Sequence, residues 1–514
     1  MGAHSGRQEV ASPMPGEAAG ANLGRRAAQG LLWFLAQNLA ARVSGLAAQV
    51  VLAWLLLPSD FGKVGLALTV SSLAGTLVNF GIDDILLQRQ QRMHRWIDSA
   101  FWMSAALGSG SALAVLAVAP LGASAYGSPD LVGLLAWLAA ALAIGSLATV
   151  PAALIRAGLD FRFLALFNSV EVVSIQALTV LLAWAGAGAY SFVVPVPLLA
   201  LVKVVVFWRR ARPAFGRPPR RRQVRAFGSR GLMVCGTRVL GEGVSQGGAI
   251  VLGLVATPDV VGLYVFAFRL AALPVRMLAG TFQNVLFPTL AQLNGDPARQ
   301  VASAFKAGRL LAFVVMPLCF LQAAVADPAL HLLFGSKWEG AIPLAQILSL
   351  GLPFDAVSWV AGALLSARGA FGFAFRYSCV STLAFFAAVV LGGLVHPPVG
   401  VAVAIGLYYA LLPVVVTALI FRSPEIRLPA VAALFAVPAV LATAAVGAAY
   451  LVSLSDLLVG RDTLRLVVIT GIAGPLYLVL VRLAAPDIAA DLTARIRALI
   501  TARRLAALEQ GAAA

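Results

Sequence analysis

The chain has 514 residues, of which 61% are hydrophobic and 11% charged, with a mean hydropathy of +0.91. A soluble domain carries about 25% charged residues, so the composition excludes a soluble globular protein and describes a polytopic membrane protein. The formal net charge of +17 lies mostly in short segments between apolar stretches. That distribution is a topology signal and speaks against nucleic-acid binding.

Residues 1–22 are polar and rich in Gly, Ala, Pro and Ser, without the short apolar core and cleavage site of a signal peptide. They are expected to form a disordered cytoplasmic tail, followed by Arg25 and Arg26 ahead of the first span. About 20 apolar residues cross a bilayer. On that basis spans fall near 31–57, 61–85, 98–120, 131–155, 166–186, 190–208, 231–254 and 260–284. Six more fall near 307–326, 340–366, 375–395, 399–421, 429–453 and 464–482, fourteen in all. With the N-terminus inside, 29 of the 38 Lys and Arg residues lie on the inner side, four outside and five within spans. Both termini are therefore expected in the cytoplasm.

The segment 209–230 carries nine Arg around Pro213, Pro218 and Pro219 and reads as a basic linker between two halves. Beyond Pro486, Ile488, Leu492, Ile496 and Ile500 share one helix face among arginines, the pattern of an amphipathic tail on the inner leaflet (486–514). Cys235, Cys319 and Cys379 have no CxxC spacing, and the four histidines are scattered. No disulfide, metal or cofactor is expected.

Sliding the chain by 200 residues lays span 1 on span 7 and span 2 on span 8, and places Pro58–Gly62 on Pro258–Gly262. This suggests a six-plus-six duplication with two appended helices. The expected division is 23–208 (spans 1–6), linker 209–230, 231–421 (spans 7–12) and 422–485 (spans 13–14). The expected fold class is all-α integral membrane, with two six-helix lobes around a central cavity and two C-terminal helices. Repeat-built transporters bind their cargo at the repeat interface near the bilayer midplane.

Arg42 lies near the middle of span 1, where a guanidinium costs roughly 2.5–3.5 kcal/mol on insertion scales. Asn38, Arg42, Gly45 and Gln49 share one helix face, which is expected to look into a cavity. On span 7, Arg238, Glu242 and Ser245 form a matching stripe, and the repeat sets Glu242 opposite Arg42. Span 8 places Arg269, Arg276 and Gln283 a heptad apart. Several guanidiniums around a cavity suit a phosphate or pyrophosphate, because the Arg fork matches its oxygens bidentately. Arg42, Arg269, Arg276, Asn38, Gln49 and Arg238 are thus the candidate substrate-binding residues. Glu242, Glu171 and Asp355 are candidates for coupling or charge balance, with Arg238 and Glu242 spaced for an intrahelical pair. Asp83, Asp84 and Lys203, near span ends, read as interfacial or snorkelling residues.

No G-x-S-x-G, P-loop or H-E-x-x-H motif occurs, and the predicted outer loops are too short for a catalytic domain. Transport is expected rather than enzymatic chemistry. The stretches Leu55–Gly62, Gly186–Ser191, Gly262–Leu270, Phe287–Leu290 and Phe334–Trp338, in this order and spacing, resemble the Wzx-type polysaccharide transporter family. That family is grouped with multidrug-and-toxin exporters and lipid II flippases. The resemblance implies a fourteen-helix, two-lobed flippase in the bacterial inner membrane. Its implied cargo is a polyprenyl-pyrophosphate-linked oligosaccharide for O-antigen, capsule or exopolysaccharide. It leaves room for other polysaccharide assembly proteins as partners, besides membrane lipids, and an internally duplicated chain is expected to be monomeric. A lipid II flippase or a cation exporter of the same fold is the alternative, and a membrane glycosyltransferase or polymerase is further away.

Overall fold

The computed structural model describes residues 44–45, 47–78, 82, 86, 96–158, 160–212, 221–293, 295–422, 426–455, 458, 460–490 and 493. Among the described residues every regular element is a helix. The first half comprises α1 (47–55), α2 (Pro58–Val78), α3 (Ile97–Ala125), α4 (Asp130–Ser146), α5 (Thr149–Ala157), α6 (Phe161–Trp184) and α7 (Pro195–Ala211). The second comprises α8 (Arg221–Val255), α9 (Pro258–Gln292), α10 (Pro297–Phe334), α11 (Ile342–Gly351), α12 (Asp355–Ala367), α13 (Phe371–Val395) and α14 (Val399–Phe421). Two further helices, α15 (Leu428–Ser453) and α16 (Asp462–Ala484), complete the order.

Ten described helical stretches are long and apolar enough to cross a membrane, or eleven when the bent pair α4–α5 counts as one span. Fourteen spans are consistent with this number. Spans 9 and 10 run on as one 71-residue stretch, span 7 is polar around Arg238 and Glu242, and most of span 1 lies outside the described residues. The expected disordered tail 1–22, nearly all of the amphipathic tail beyond residue 490, Asn38, Arg42, Asp83 and Asp84 also lie outside them.

Several boundaries differ from the sequence expectation. Helix α8 begins at Arg221, inside the expected linker, and α9 continues to Gln292. Helix α10 has 38 residues, about 57 Å at 1.5 Å per residue against a hydrocarbon core of about 30 Å. An apolar count finds only the membrane-embedded part of such a helix, because its polar end with Arg299, Lys306 and Arg309 continues into water. Spans 4 and 10 are each broken. The first bends by 41° between α4 and α5, and the second passes through a 3₁₀ turn, Leu352–Phe354, between α11 and α12. Pro151 and Pro353 stand at these breaks, where a missing N–H and ring clash interrupt the helical ladder.

The 200-residue repeat has a direct structural counterpart. A Cβ on Gly62 would run into the Pro258 carbonyl, and a Cβ on Gly262 would run into the Pro58 carbonyl. The two contacts are reciprocal, as a two-fold relation between the repeats requires, and only glycine lets the first turns of α2 and α9 approach so closely. Around this crossing Phe61 packs edge-on to Phe266 (6.0 Å), Phe192 (5.3 Å) and Trp338 (5.1 Å), and Phe266 stacks on Trp338 (4.1 Å). One buried core extends from Leu52 and Phe61 through Val265 and Trp338 to Phe421. It joins the two halves at this end.

Helices α15 and α16 bring a separate core against α10, built from Phe313, Phe320, Ala445, Ala449, Ala473 and Tyr477. The link is specific. Pro317 has no N–H to offer the Phe313 carbonyl, and the Tyr477 hydroxyl donates to that oxygen instead (2.8 Å). The same device recurs. Gln322 donates to Leu270, freed by Pro274 (2.7 Å), and Trp208 Nε1 donates to Leu147, freed by Pro151 (3.0 Å). At the end of α1, Pro58 leaves the Trp54 carbonyl free, and Lys337 Nζ donates to it (3.0 Å) and to Ala53 (3.1 Å). Trp338 Nε1 donates to the same Ala53 oxygen (3.1 Å). In a membrane a free carbonyl has no water to turn to, so these prolines fix where neighbouring helices dock.

Candidate substrate cavity

Helix α9 carries both span 8 arginines, and they face different cavities. Seven residues apart, they share a helix face but differ by about 10 Å in position along the axis. Arg269 lines a cavity of about 170 Å³ with Gly45 and Gln49 of the first span, and with Gln176 and Thr179 of α6. One wall therefore comes from each half. Among the described residues no carboxylate pairs with Arg269. The cavity offers it side-chain amides and a hydroxyl, groups that orient an anion without neutralising the guanidinium. This is the site that the sequence stripe Gly45–Gln49 points to. Arg42 and Asn38, which continue that stripe, lie outside the described residues.

Arg276 lines a different cavity, of about 310 Å³, enclosed by α8, α9, α12, α13 and α14. Its guanidinium donates to Ser245 Oγ (3.3 Å) and lies over the Phe268 ring (6.0 Å). Asp355 lines the same cavity, with its carboxylate accepting from Ser358 Oγ (2.5 Å) and Trp359 Nε1 (3.0 Å). The sequence grouped Arg269 and Arg276 as one cluster, and the structure separates them. Pro274 stands between them in the helix, and the neighbours at each depth come from different halves of the chain.

The remaining candidates lie apart from one another. Arg238 is exposed on α8, and Glu242 accepts from Gln246 Nε2 (3.0 Å). Gln246 in turn sits 3.5 Å from Thr69 Oγ1 of α2, so Glu242 connects through one side chain to the other half. Glu171 pairs with Lys203 (2.8 Å), both half-buried, which corrects the reading of Lys203 as a snorkelling residue. The Gln283 side chain lies outside the described positions.

Sequence reasoning missed Lys337 and Trp338 as partners of the α1 carbonyls. It also missed Lys63 with Asp130 (2.5 Å) and Arg465 with Asp327 (2.9 Å). The Phe334–Trp338 motif was visible, but nothing in its spacing tells which carbonyl, some 280 positions away, it serves.

A family model described as polysaccharide biosynthesis protein matches residues 51–343, more than half of the chain. The chain belongs to that family. It is 24% identical over 360 residues to the lipopolysaccharide biosynthesis protein WzxC of Escherichia coli K12, covering 70% of this chain and 73% of that one. It is 26% identical over 302 residues to the succinoglycan biosynthesis transport protein ExoT of Rhizobium meliloti, covering 58% of this chain and 61% of ExoT. Among solved structures, the lipid II flippase MurJ in an inward closed conformation superposes with a TM-score of 0.73 at 14% identity, over 89% of this chain and 99% of that one. An inward-facing multidrug resistance MATE family transporter gives 0.51 at 15% identity, over 78% and 95%. The chain is thus an all-α, multi-pass membrane protein with the fold shared by these transporters.

Proposed function

We propose that the chain is a transporter that moves a polyprenyl-pyrophosphate-linked oligosaccharide from the cytoplasmic to the periplasmic leaflet of a bacterial inner membrane, for surface polysaccharide synthesis. The observation that carries this reading is Arg269, a membrane-embedded cation of the second half with no described carboxylate partner, facing the Gln49 and Gln176 amides of the first half in one cavity. A compact dianion is the cargo group such a site suits, and an intramembrane ionisable residue is a functional site by default. The sequence spacing of Asn38, Arg42, Gly45 and Gln49 at i, i+4, i+7 and i+11 is the basis for assigning Arg42 and Asn38 to the same diphosphate. Membership of the polysaccharide biosynthesis family favours a polysaccharide repeat unit over lipid II, for which the MurJ superposition speaks at the level of fold alone. A cation exporter would require an acid-dominated cavity, and Arg269 opposes that.

In this reading the two halves rock about the site between them, with both termini and the basic segment 209–230 on the cytoplasmic side. The contact of Gly62 with Gly262, under Trp338, then closes the periplasmic end. Glu242, linked through Gln246 to α2, is the acid whose protonation would be felt by both halves, so it is assigned to coupling. Glu171 balances Lys203, and Asp355 balances Arg276 across their shared cavity. Chain deletion, followed by analysis of lipid-linked sugars, tests the proposal. An undecaprenyl-linked repeat unit should accumulate on the cytoplasmic leaflet and be cleared by wild-type chain but not by Arg269→Ala or Arg42→Ala at equal abundance. An unchanged lipid-linked pool would overturn it.

A further inference from the structure

The diphosphate reading uses the cavity between the halves and leaves the larger one, inside the C-terminal half, unexplained. We infer that this larger cavity is a glycan subsite, built to hold neutral pyranose rings of the cargo while Arg269 holds its diphosphate. The inference rests on the proposed function.

The first observation is the density of hydroxyls in a place where they are costly. Ser245, Ser358, Ser378, Ser381 and Thr382 all line the cavity, together with the rings of Tyr377, Tyr408 and Tyr409. Polar groups removed from water need partners, and here eight hydroxyl-bearing side chains converge on one cavity instead of spreading along separate helix contacts. Most already have one partner in the protein: Ser381 Oγ and Tyr408 OH are at 2.5 Å, Ser245 Oγ accepts from Arg276, Ser358 Oγ donates to Asp355 and Thr382 Oγ1 to the Leu240 carbonyl. A hydroxyl has one donor and two acceptor positions, so each retains capacity toward the cavity.

The second observation is the aromatic wall. Trp359, Tyr408 and Phe268 present ring surface beside those hydroxyls. Tyr408 is held edge-on by buried Phe385 (4.9 Å) and by Tyr409 (5.1 Å). Flat apolar surface next to clustered donors and acceptors matches a pyranose, whose C–H face is apolar and whose rim is hydroxyl. The Trp359 indole N–H and the Ser358 hydroxyl are already spent on Asp355, which fixes the carboxylate with its remaining lone pairs free for vicinal sugar hydroxyls.

Charge narrows the class. Arg276 and Asp355 sum to zero, so a charged sugar gains beside one and loses beside the other, with no net pull from the pair. A neutral hexose hydrogen-bonds to both without that cost. Size fits as well, since the cavity of about 310 Å³ lies at the low end of small-molecule sites, roughly 300–1,000 Å³. A second cavity of about 250 Å³ shares Ser358, Tyr377 and Ser378 with it, so a further ring can follow the first. Position agrees too. Arg269 and Arg276 are about 10 Å apart along α9, the scale of a diphosphate and its first sugars.

The test uses the full chain in lipid nanodiscs and three probes. These are undecaprenyl diphosphate alone, the same lipid carrying a glucose–galactose disaccharide, and the same lipid carrying a glucuronate-containing disaccharide. Wild type should bind the neutral-sugar probe about tenfold more tightly than the bare lipid, and the glucuronate probe no better than the bare lipid. Tyr408→Phe with Ser381→Ala, and separately Asp355→Asn, should bring the neutral-to-bare ratio near one. Arg269→Ala should weaken both probes with the ratio kept. If Asp355→Asn does not fold, the Tyr408→Phe, Ser381→Ala protein carries the test. A ratio of one in wild type, a ratio kept in these variants, or a preference for the glucuronate probe would overturn the glycan subsite alone. Failure of wild type to bind any of the three would overturn the proposed function and the subsite with it.

Discussion

The two cavities along α9 share a helix, a residue type and almost a helix face, yet they differ in what surrounds the guanidinium. Around Arg269 stand Gln49, Gln176 and Thr179, drawn from the other half of the chain, with no carboxylate among the described lining residues. Around Arg276 stand Ser245 and Phe268, with Asp355 across the cavity, all from the same half. A positive charge left unbalanced at the junction of two moving halves can seize and release an anion as they move. A charge balanced within one half keeps its surroundings through such a motion, and so suits recognition of a neutral group. The position of an intramembrane arginine relative to the repeat boundary therefore matters more than its spacing along the helix.

Removing each arginine in turn should separate the two cavities most strongly. Arg269→Ala should lose about 2–3 kcal/mol of charge-assisted hydrogen bonding to the diphosphate, about 100-fold in affinity, with Arg269→Lys recovering part of it. Arg276→Ala should leave the bare-lipid affinity within a few-fold of wild type while reducing discrimination among glycans. Binding of undecaprenyl diphosphate to the two variants measures this, and equal losses would erase the distinction.

The next largest effect is expected at the seal. Gly262→Leu sets a side chain against the Pro58 carbonyl, and backbone cannot yield as a flexible side chain can. Overpacking of this kind costs about 1–3 kcal/mol. The halves should part at this end, making a cysteine placed at Phe61 reactive toward a water-soluble maleimide. Continued protection of that cysteine would show that the glycine contact does not hold the halves together. Trp338→Phe, which removes one donor from Ala53 but keeps the ring, should give a weaker form of the same result.

Much of this was legible in the sequence, and the reasons it stopped are physical. Helix identity follows from apolar length, which depends only on the chain and the bilayer. The 200-residue offset was visible because Pro58 and Pro258 start helices and Gly62 and Gly262 follow four residues on. The Gln49 face and Arg269 were found because a charge in an apolar run must look inward. What could not be read was which wall each residue faces. Arg269 and Arg276 have the same helical phase, and the helices that share their cavities, α6 for one and α12 for the other, separate them. Lys203 looked interfacial because its partner Glu171 lies 32 positions away on another helix. Proline told that the carbonyls of Phe313, Leu270 and Leu147 would be free, but not that Tyr477, Gln322 and Trp208 would take them.

Glu242 provides a smaller test of how the first cavity is coupled to motion. Its carboxylate holds Gln246, and Gln246 reaches Thr69 in the other half. Glu242→Gln keeps a hydrogen-bonding partner for Gln246 while removing the titratable group. Transport should fall several-fold and lose its dependence on the proton or cation gradient, while equilibrium binding of the bare lipid stays the same. Unaltered gradient dependence would move the coupling role away from Glu242.

The smallest expected effect is a control on the whole comparison, because it concerns helices that touch neither cavity. Tyr477→Phe removes the donor to the Phe313 carbonyl and leaves the ring in the α10–α16 core. A buried hydrogen bond contributes about 1 kcal/mol net, and an orphaned acceptor costs somewhat more. The thermal midpoint of the purified chain should therefore fall slightly, with the affinities for bare and glycan-bearing lipid both kept. If the variant instead changes the ratio between those affinities, α15 and α16 take part in recognition. The division of labour would then extend beyond the two cavities on α9, to which α10 offers one route, since its Gln322 holds the Leu270 carbonyl next to Arg269.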